Sequence, residues 1–509
     1  AAIARAGMLR VNSLEELFLA AEILTRFKAP IGDRMTVLTN GGGVGVLAAD
    51  SAAARGVPLA ELGQPLLHEL DKVLPANWSH GNPVDIIGDA PAQRYVDALT
   101  ALARHPEDTG TLLFIQAPTA IVPSTDIARA LIPVIRPNGK TPLPLVSSWV
   151  GGPAVAEARA LFTEAGIACY DLPEQAVAAI GLLQAYARNQ AELTEAPQAT
   201  QLHNGSTPDV ARVRDIVAQV LASGRDMLTE PEAKAVCEAY HIPVVATRTV
   251  PANAVAAADE AARIGFPVVL KILSEDISHK SDVGGVALNL NDEGDVRAAA
   301  QAMLVRVGKS HPDARVDGFT VQKMVKMPQS QELIIGASID PTFGPVILFG
   351  QGGTAVEVMK DSAMALPPLN APLARALIER TRVAKLLHGY RDVPPANLDA
   401  VVATLMAVSQ LLADVPEVAE LDINPLIVNH QGAIALDARV RVSAKKPAGA
   451  AHFAIAPYPA ELSETIDWRG QPLTIRPIRP EDEERHRAFL ESLDPEDIRM
   501  RLFYSRRTM

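Results

Sequence analysis

The sequence is poor in cysteine and in aromatic residues, and it has no long apolar run. Two cysteines in 509 residues, Cys169 and Cys237, cannot make a disulfide framework. That excludes a disulfide-stapled secreted scaffold and makes a reducing cytoplasm the simplest home. Aromatics are only 4% of the chain, so the core must be built mainly from aliphatic side chains. Abundant Ala and Val fit α/β layers with helices packed closely on sheets. No apolar run reaches the roughly 18 residues of a membrane span, and no secretory signal opens the chain. Positive charge is also in deficit. The formal net charge of −12 argues against broad nucleic-acid binding, although it leaves room for local basic pockets that take phosphates.

What is present reads as alternating strands and helices. Met35–Thr39 is a short buried-strand run, followed by Asn40-Gly41-Gly42-Gly43-Val44-Gly45 and a helical pattern. Thr111–Ile115 and Leu143–Ser147 are further strand runs with helix-like stretches between them. Such alternation predicts a doubly wound parallel sheet, with ligands beyond the carboxyl ends of the strands. The glycine-rich turn suits a phosphate or carboxylate at a helix N-terminus. It lacks the Lys-Ser/Thr of a P-loop and is as compatible with a tight turn. Asn82-Pro83-Val84-Asp85 reads as a turn with a structural aspartate. Residues 191–226 are a polar linker followed by an amphipathic helix at Val210–Leu221. A second unit opens at Thr229, with Glu232 placed for a capping box.

Three segments of that second unit carry chemistry. Residues 423–437 predict a β-hairpin. With His430 and Gln431 as its central pair, Asn424 falls opposite Asp437. Directly opposed side chains have Cβ atoms about 4.5–5.5 Å apart. An amide oxygen and a carboxylate at that separation can share a hard cation such as Mg²⁺, with Asp422 on the same face. An ordinary surface hairpin with a polar end fits the spacing equally well. Val268-Val269-Leu270-Lys271 reads as a buried strand delivering a cation to phosphates, or as a lysine snorkelling from a strand end. Ser278-His279-Lys280-Ser281-Asp282-Val283-Gly284-Gly285 places a histidine among hydroxyls, a lysine and a Gly-Gly turn. Neutral imidazole is a nucleophile near pH 7, and a histidine met alone is more often a surface group.

Taken in order, these segments carry a resemblance. Lys271, the His279 loop, Val321–Val325, Gln331-Glu332-Leu333, Asp340–Pro345, Phe349–Gly353 and Glu420–Asp437 together resemble the ATP-grasp domain of ADP-forming acetyl-CoA synthetases, over about residues 227–443. Residues 31–190 resemble the last flavodoxin-like domain of the same NDP-forming acyl-CoA synthetase superfamily. Residues 1–30 resemble the tail of the domain before it. The resemblance implies ATP/ADP, Mg²⁺ and acetyl-CoA/CoA as ligands, with the CoA site largely outside this chain. It implies that His279 is the family's second phosphohistidine, the principal one belonging to an upstream segment not found in this sequence, and that Lys271 contacts the nucleotide phosphates. Gln322, Lys323, Met324 and Val325 would form the hinge beside the base, with Glu332 nearby. Gly284, Gly285, Gly350, Gly352 and Gly353 would form the phosphate loops, and Asn424 and Asp437 would hold the metal. Glu357 and Asp361 are further candidates for the phosphate end.

The C-terminal residues add a second resemblance. Residues 444–470 read as a linker. Thr474-Ile475-Arg476-Pro477-Ile478-Arg479-Pro480-Glu481-Asp482 resembles the opening strand and helix of GNAT N-acetyltransferases, so 471–509 reads as the incomplete start of that fold. A synthetase-like body followed by GNAT resembles bacterial protein lysine acetyltransferases that modify acyl-CoA synthetases. The chain opens inside a helix-like segment without an initiating Met, and it is expected to be a piece of a longer protein. The whole predicts an α/β multidomain chain: a flavodoxin-like doubly wound sheet, an ATP-grasp domain and the start of a GNAT fold. Two functions remain open, a working acyl-CoA ligase or a nucleotide- or acyl-CoA-sensing module of an acetyltransferase; a third, an ordinary ATP-grasp carboxylate–amine ligase, fits the flavodoxin-like domain and the GNAT start less well. The expected partners are a nucleotide, an acyl-CoA and, for the parent, an acyl-CoA synthetase as protein substrate. Neither nucleic acid nor membrane is among them, and a homo-oligomer is left open.

Overall fold

In the first part of the chain every residue of the long strands is buried, because both faces of its sheet are covered. The computed structural model describes residues 1–137, 143–198, 206–277, 280, 283–353, 361–444 and 453–502. Two compact units emerge, residues 3–193 and residues 194–509, with residues 1 and 2 grouped with the second.

The first unit is built on β1 (Met35–Thr39), β2 (Val84–Asp85), β3 (Thr111–Gln116), β4 (Leu145–Trp149) and β5 (Ala168–Tyr170). All pairings are parallel, in the order β2-β1-β3-β4-β5. This is the flavodoxin-like order of a doubly wound sheet. Strand alternation feeds two separate cores. Leu112 and Phe114 pack on one face with Trp149 and Phe162, while Leu113 and Ile115 pack on the other with Met35, Val37 and Ile180. The few aromatics are concentrated on the first face, where the Phe114 ring lies 5.4 Å from that of Trp149 in an edge contact. Residues 1–30, expected as the tail of a preceding domain, contribute Ile23 of the helix Leu14–Arg26 to the second core. The Gly-rich turn leads into a helix that starts at Gly42, earlier than its apolar residues suggest.

The second unit holds two large antiparallel sheets and a separate two-stranded ribbon near its end. The smaller, ordered β6-β9-β7-β8, consists of β6 (Thr247–Pro251), β7 (Val268–Leu273), β8 (Val286–Leu290) and β9 (Gly318–Lys323). The helices Ala254–Ile264 and Glu293–Ser310 cover it with Ala257, Ala261, Val296 and Met303. The larger has six strands: β10 (Gln331–Asp340), β11 (Gly344–Gln351), β12 (Ser362–Ala365), β13 (Val418–Asn429), β14 (Gly432–Ala435) and β15 (Ala438–Val442). The helix Leu398–Asp414 packs on it, buried over most of its length.

The β13–β14 hairpin turns at His430 and Gln431 in the expected register, with Asn429 opposite Gly432 and Leu426 opposite Ala435. The same register resumes between β13 and β15, with Ile423 opposite Ala438. The gap between the two ladders falls at Asn424-Pro425 and Leu436-Asp437. Pro425 has no N–H, so only one of the two bonds of that pair forms, from Leu436 N to Pro425 O.

The expected linker 444–470 is corrected. It contains β16 (Glu464–Trp468), which pairs antiparallel with β17 (Gln471–Ile475). The missed signal is a two-residue turn at Arg469-Gly470. Both residues have positive φ, 55° and 81°, as a tight hairpin requires. β17 therefore has a partner, and it ends before Pro477. The helices Glu483–Glu491 and Pro495–Leu502 follow. No helix among the described residues is long and apolar enough to cross a membrane.

Candidate functional site

Between the two sheets of the second unit lies a cavity of about 1110 Å³. The smaller sheet contributes Val269 and Lys271 of β7, Val286 and Leu288 of β8, and Gln322 of β9. The larger contributes Glu332 of β10, Asn424 and Ile427 of β13, and Leu436 and Asp437 from the β14–β15 connection. Large clefts with a mostly apolar lining and a few convergent polar groups are the usual form of small-molecule sites.

The polar end of the cavity is organised by a buried carboxylate. Glu230 opens the helix Glu230–Ala239, and its side chain is 3% exposed. Its Oε1 accepts from Lys271 Nζ at 2.8 Å and lies 2.9 Å from Lys234 Nζ, and its Oε2 accepts from Lys280 Nζ at 2.6 Å. Burial opposes the charge on Glu230. Lys271, Lys234 and Lys280 outweigh that penalty and hold the carboxyl well below the usual carboxylate range. The helix N-terminus favours the same ionised form. Burial also opposes the charge on Lys271, but Glu230 and Asp437 hold its pKa above the ordinary value. Lys234 behaves differently. Burial dominates and lowers its pKa, despite its contact with Glu230.

Lys271 has two longer contacts, 3.5 Å to Asp437 Oδ1 and 3.4 Å to the carbonyl of Leu436. The second follows from the hairpin. Pro425 cannot donate to Leu436, which leaves that carbonyl free of the ladder and open to the lysine. Asn424 and Asp437 both line the cavity, bracketed by the 425/436 and 423/438 pairs. Asn424 Oδ1 accepts from Gly353 N at 3.0 Å, and an amide oxygen has a second lone pair to offer. One amide oxygen and one carboxylate form a hard-oxygen donor set that suits Mg²⁺.

The structure brings together Lys271, Gln322, Met324, Val325, Glu332, Gly353, Asn424 and Asp437, all on the cavity wall. Other candidates are placed elsewhere. Lys323 is exposed and faces away, because alternation along β9 turns Gln322 inward and its neighbour outward. Gly350 and Gly352 are not on the wall. A Cβ at Gly350 would meet the Asp361 carbonyl at 2.2 Å and one at Gly352 the Leu333 carbonyl at 2.4 Å, so close backbone approach accounts for both. Gly284 and Gly285 form the turn into β8, where Gly285 N donates to the Lys280 carbonyl at 2.7 Å. Gly353, with φ of 79°, is the glycine of the five that lines the cavity. Asp361 is not at the phosphate end, because its two oxygens accept the N–H groups of Arg382 and Val383, both at 2.7 Å. Asp422 is paired across the strands with Arg439 and does not reach the wall; burial raises its pKa. His279 and Glu357 lie outside the described residues.

Sequence reasoning missed Glu230 and Lys234. The four-residue spacing of the two on one helix was a visible signal for an ion pair. Nothing local pointed to Lys271, 41 positions away.

A family model described as an ATP-grasp domain matches residues 219–442. A second, described as a Ligase-CoA domain, matches residues 35–194. The chain is 36% identical over 440 residues to acetate–CoA ligase [ADP-forming] I of Archaeoglobus fulgidus, covering 86% of this chain and 61% of the relative. It is 30% identical over 432 residues to 4-hydroxybutyrate–CoA ligase [ADP-forming] of Nitrosopumilus maritimus, covering 85% and 60%. It is 36% identical over 231 residues to acetate–CoA ligase [ADP-forming] I subunit beta of Pyrococcus furiosus, covering 45% of this chain and 98% of that subunit. The chain thus spans about 60% of the length of the first two relatives. A solved structure, the Ca. Korarchaeum cryptofilum dinucleotide forming acetyl-coenzyme A synthetase 1 with coenzyme A, Ca-AMPCP and HgCl+, is 37% identical. It covers 45% of this chain and 99% of that one, with a TM-score of 0.43.

The electrostatics of Glu230 generate a pH prediction. Its carboxyl is held below its ordinary value of 4.5. The stabilisation it contributes is therefore fully present above that pH and is lost as the pH falls below it toward the lowered folded value. Glu230→Gln removes the contribution at every pH, at a cost of about 3–5 kcal/mol at neutral pH. The gap in Tm between parent and variant is expected to be widest near neutrality and to narrow as the solution is acidified below 4.5. Thermal scans showing a constant gap through the acid limb would contradict it.

Proposed function

The chain belongs to the ADP-forming acetate–CoA ligase family, and from that premise we propose that it is an acyl-CoA synthetase module that binds Mg-ATP or Mg-ADP between the two sheets of its second unit. The reaction is acetyl-CoA + ADP + phosphate to acetate + ATP + CoA, run reversibly. The observation that carries this reading is the convergence on one cavity wall of Lys271 with Asn424 and Asp437, which lie more than 150 residues further along the chain.

In this mechanism phosphate displaces CoA from the acetyl carbonyl to give acetyl phosphate. A nitrogen of a separate, upstream histidine then attacks the phosphorus and acetate leaves. The phosphoryl group passes through His279 to the terminal oxygen of ADP, which regenerates the free imidazole. Splitting one difficult transfer into covalent steps lowers each barrier. Lys271 and Lys280 place positive charge beside the transferring group, where preorganised charge acts most strongly in a water-poor site. Met324 and Val325, with Val269 and Ile427, offer apolar surface for the base, and the amide of Gln322 offers a hydrogen-bonding edge. Asn424 Oδ1 and the Asp437 carboxylate would hold Mg²⁺, which would supply positive charge against the terminal phosphates. Coenzyme A and the acyl group are proposed substrates of the whole protein, with association of several copies or subunits as part of the same proposal.

A further proposal concerns residues 471–509. The pairing of β17 with β16 and the helix that follows it support reading this segment as the opening of a GNAT acetyltransferase domain. Arg476 holds Asp482 with two bonds of 2.8 Å across the strand–helix junction. The parent would then acetylate a lysine of an acyl-CoA synthetase. Labelled acetyl-CoA incubated with the full-length protein and such a substrate should label lysine, and a complete absence of transfer would overturn this assignment.

Two experiments test the ligase reading. Asp437→Ala leaves the terminal phosphates without one hard-oxygen partner for their cation. It is expected to weaken Mg-ATP binding at least about tenfold, on the order of 1.4 kcal/mol. Calorimetry that finds unchanged affinity in the folded variant would remove Asp437 from the metal site. For His279, incubation with γ-labelled ATP is expected to give an acid-labile protein label that disappears in His279→Ala. Acid-stable labelling, or labelling indifferent to His279, would favour a sensing module over a ligase.

A further inference from the structure

We propose that Glu230 is a positioning residue that fixes Lys271 and Lys280 in place for the terminal phosphates of the bound nucleotide; this rests on the nucleotide reading of the cavity given above. Glu230 belongs, through its backbone, to the larger sheet. The segment leading into its helix is joined to β15 by Leu228 N to Val440 O at 3.0 Å and Val442 N to Asp226 O at 2.7 Å. Lys271 belongs to β7 of the smaller sheet, and Lys280 to the loop that follows it. The carboxylate therefore ties two cations of one sheet to the sheet that carries Asn424 and Asp437.

The three lysines around Glu230 are not equivalent. Lys234 directs its ammonium at Glu230, at Gln322 Oε1 (2.7 Å) and at Thr247 Oγ1 (2.8 Å). An ammonium has three donors, so Lys234 has none left for a ligand, and it is absent from the cavity wall. Lys271 and Lys280 do line the cavity. Lys271 makes one short contact, to Glu230, and two of 3.4 and 3.5 Å, which leaves capacity for a phosphate oxygen. Lys280 is held from both ends, by its ammonium on Glu230 Oε2 and by its carbonyl, which accepts from Gly285 N at 2.7 Å. Three ammonium groups around one point repel each other. Only a carboxylate at the centre keeps two of them aimed at a common ligand. Lys280 also directly follows His279, so the same contact anchors the chain on one side of that residue.

The test compares ligands with and without terminal phosphates, because a merely structural role would affect both alike. Binding of Mg-ATP and of AMP to the whole 509-residue chain is measured by calorimetry for the parent, Glu230→Gln and Lys271→Met, with circular dichroism confirming the fold. For Glu230→Gln the Kd for Mg-ATP is expected to rise at least about tenfold while that for AMP changes less than about threefold. Equal losses for the two ligands, or an unchanged Mg-ATP affinity, overturn the proposal. If Glu230→Gln does not fold, Glu230→Asp withdraws the carboxylate by one methylene and should show the same selectivity at smaller amplitude; equal effects on both ligands again overturn it. A parent chain that binds no Mg-ATP, or a Lys271→Met variant that binds it normally, instead overturns the nucleotide reading itself.

Discussion

The second unit depends on a carboxylate that is almost completely removed from water. An isolated buried charge of this kind would cost several kcal/mol, and a buried ion pair often does no better than break even. Glu230 is tolerable because three ammonium groups lie 2.6–2.9 Å from its two oxygens. Those partners come from three places: its own helix, a strand of the smaller sheet and the loop after that strand. The cluster forms only when both sheets are in place. It therefore joins the two halves of the unit by an interaction that a hydrophobic contact could not replace without losing its direction. Lys234 extends the connection to Gln322 and Thr247, so the smaller sheet is held at three of its strands.

The opposite wall owes its chemistry to a local defect. Were residue 425 not proline, β13 would pair without interruption into the β14–β15 connection, and the carbonyl of Leu436 would accept a ladder bond. Proline removes that donor, and Leu436 turns its carbonyl toward Lys271. The interruption falls where Asn424 and Asp437 meet the cavity. Regular pairing on both sides keeps the register, and the missing bond between them frees the Leu436 carbonyl.

Much of the fold was legible because it is written in short-range patterns. The alternation of fully apolar strands with helices in residues 31–190 predicts the parallel sheet, and strand alternation explains why Leu112 and Leu113 serve different cores. The hairpin register followed from its turn residues alone. Parity was equally available for Lys323, since a strand that turns Gln322 inward must turn its neighbour outward. The glycines show the limit of motif reading. Gly350 and Gly352 look like a ligand loop in sequence, but their space is claimed by the carbonyls of Asp361 and Leu333. Only packing of distant strands reveals that. The strand at Glu464–Trp468 was obscured because Arg469-Gly470 is a weaker turn signal than Asn-Gly. The link from Glu230 to the smaller sheet was invisible for a different reason. Its partner Lys271 is 41 residues away, and no local pattern records a contact of that range.

The charge arrangement also limits what the cavity can accept. Apolar surface at Val269, Met324 and Ile427 grades into the lysine cluster, which suits a ligand with a flat apolar end and a polyanionic one. Without a ligand, Asp437 draws on Lys271 at 3.5 Å. A polyanion that pulls Lys271 toward itself weakens this contact and leaves Asp437 facing further negative charge. Like charges brought to such range repel. A cation that Asp437 and Asn424 can share, arriving with the polyanion, neutralises the arrangement. On these grounds, local charge balance links the proposed dependence on a divalent cation to the same carboxylate and lysines that hold the two sheets together.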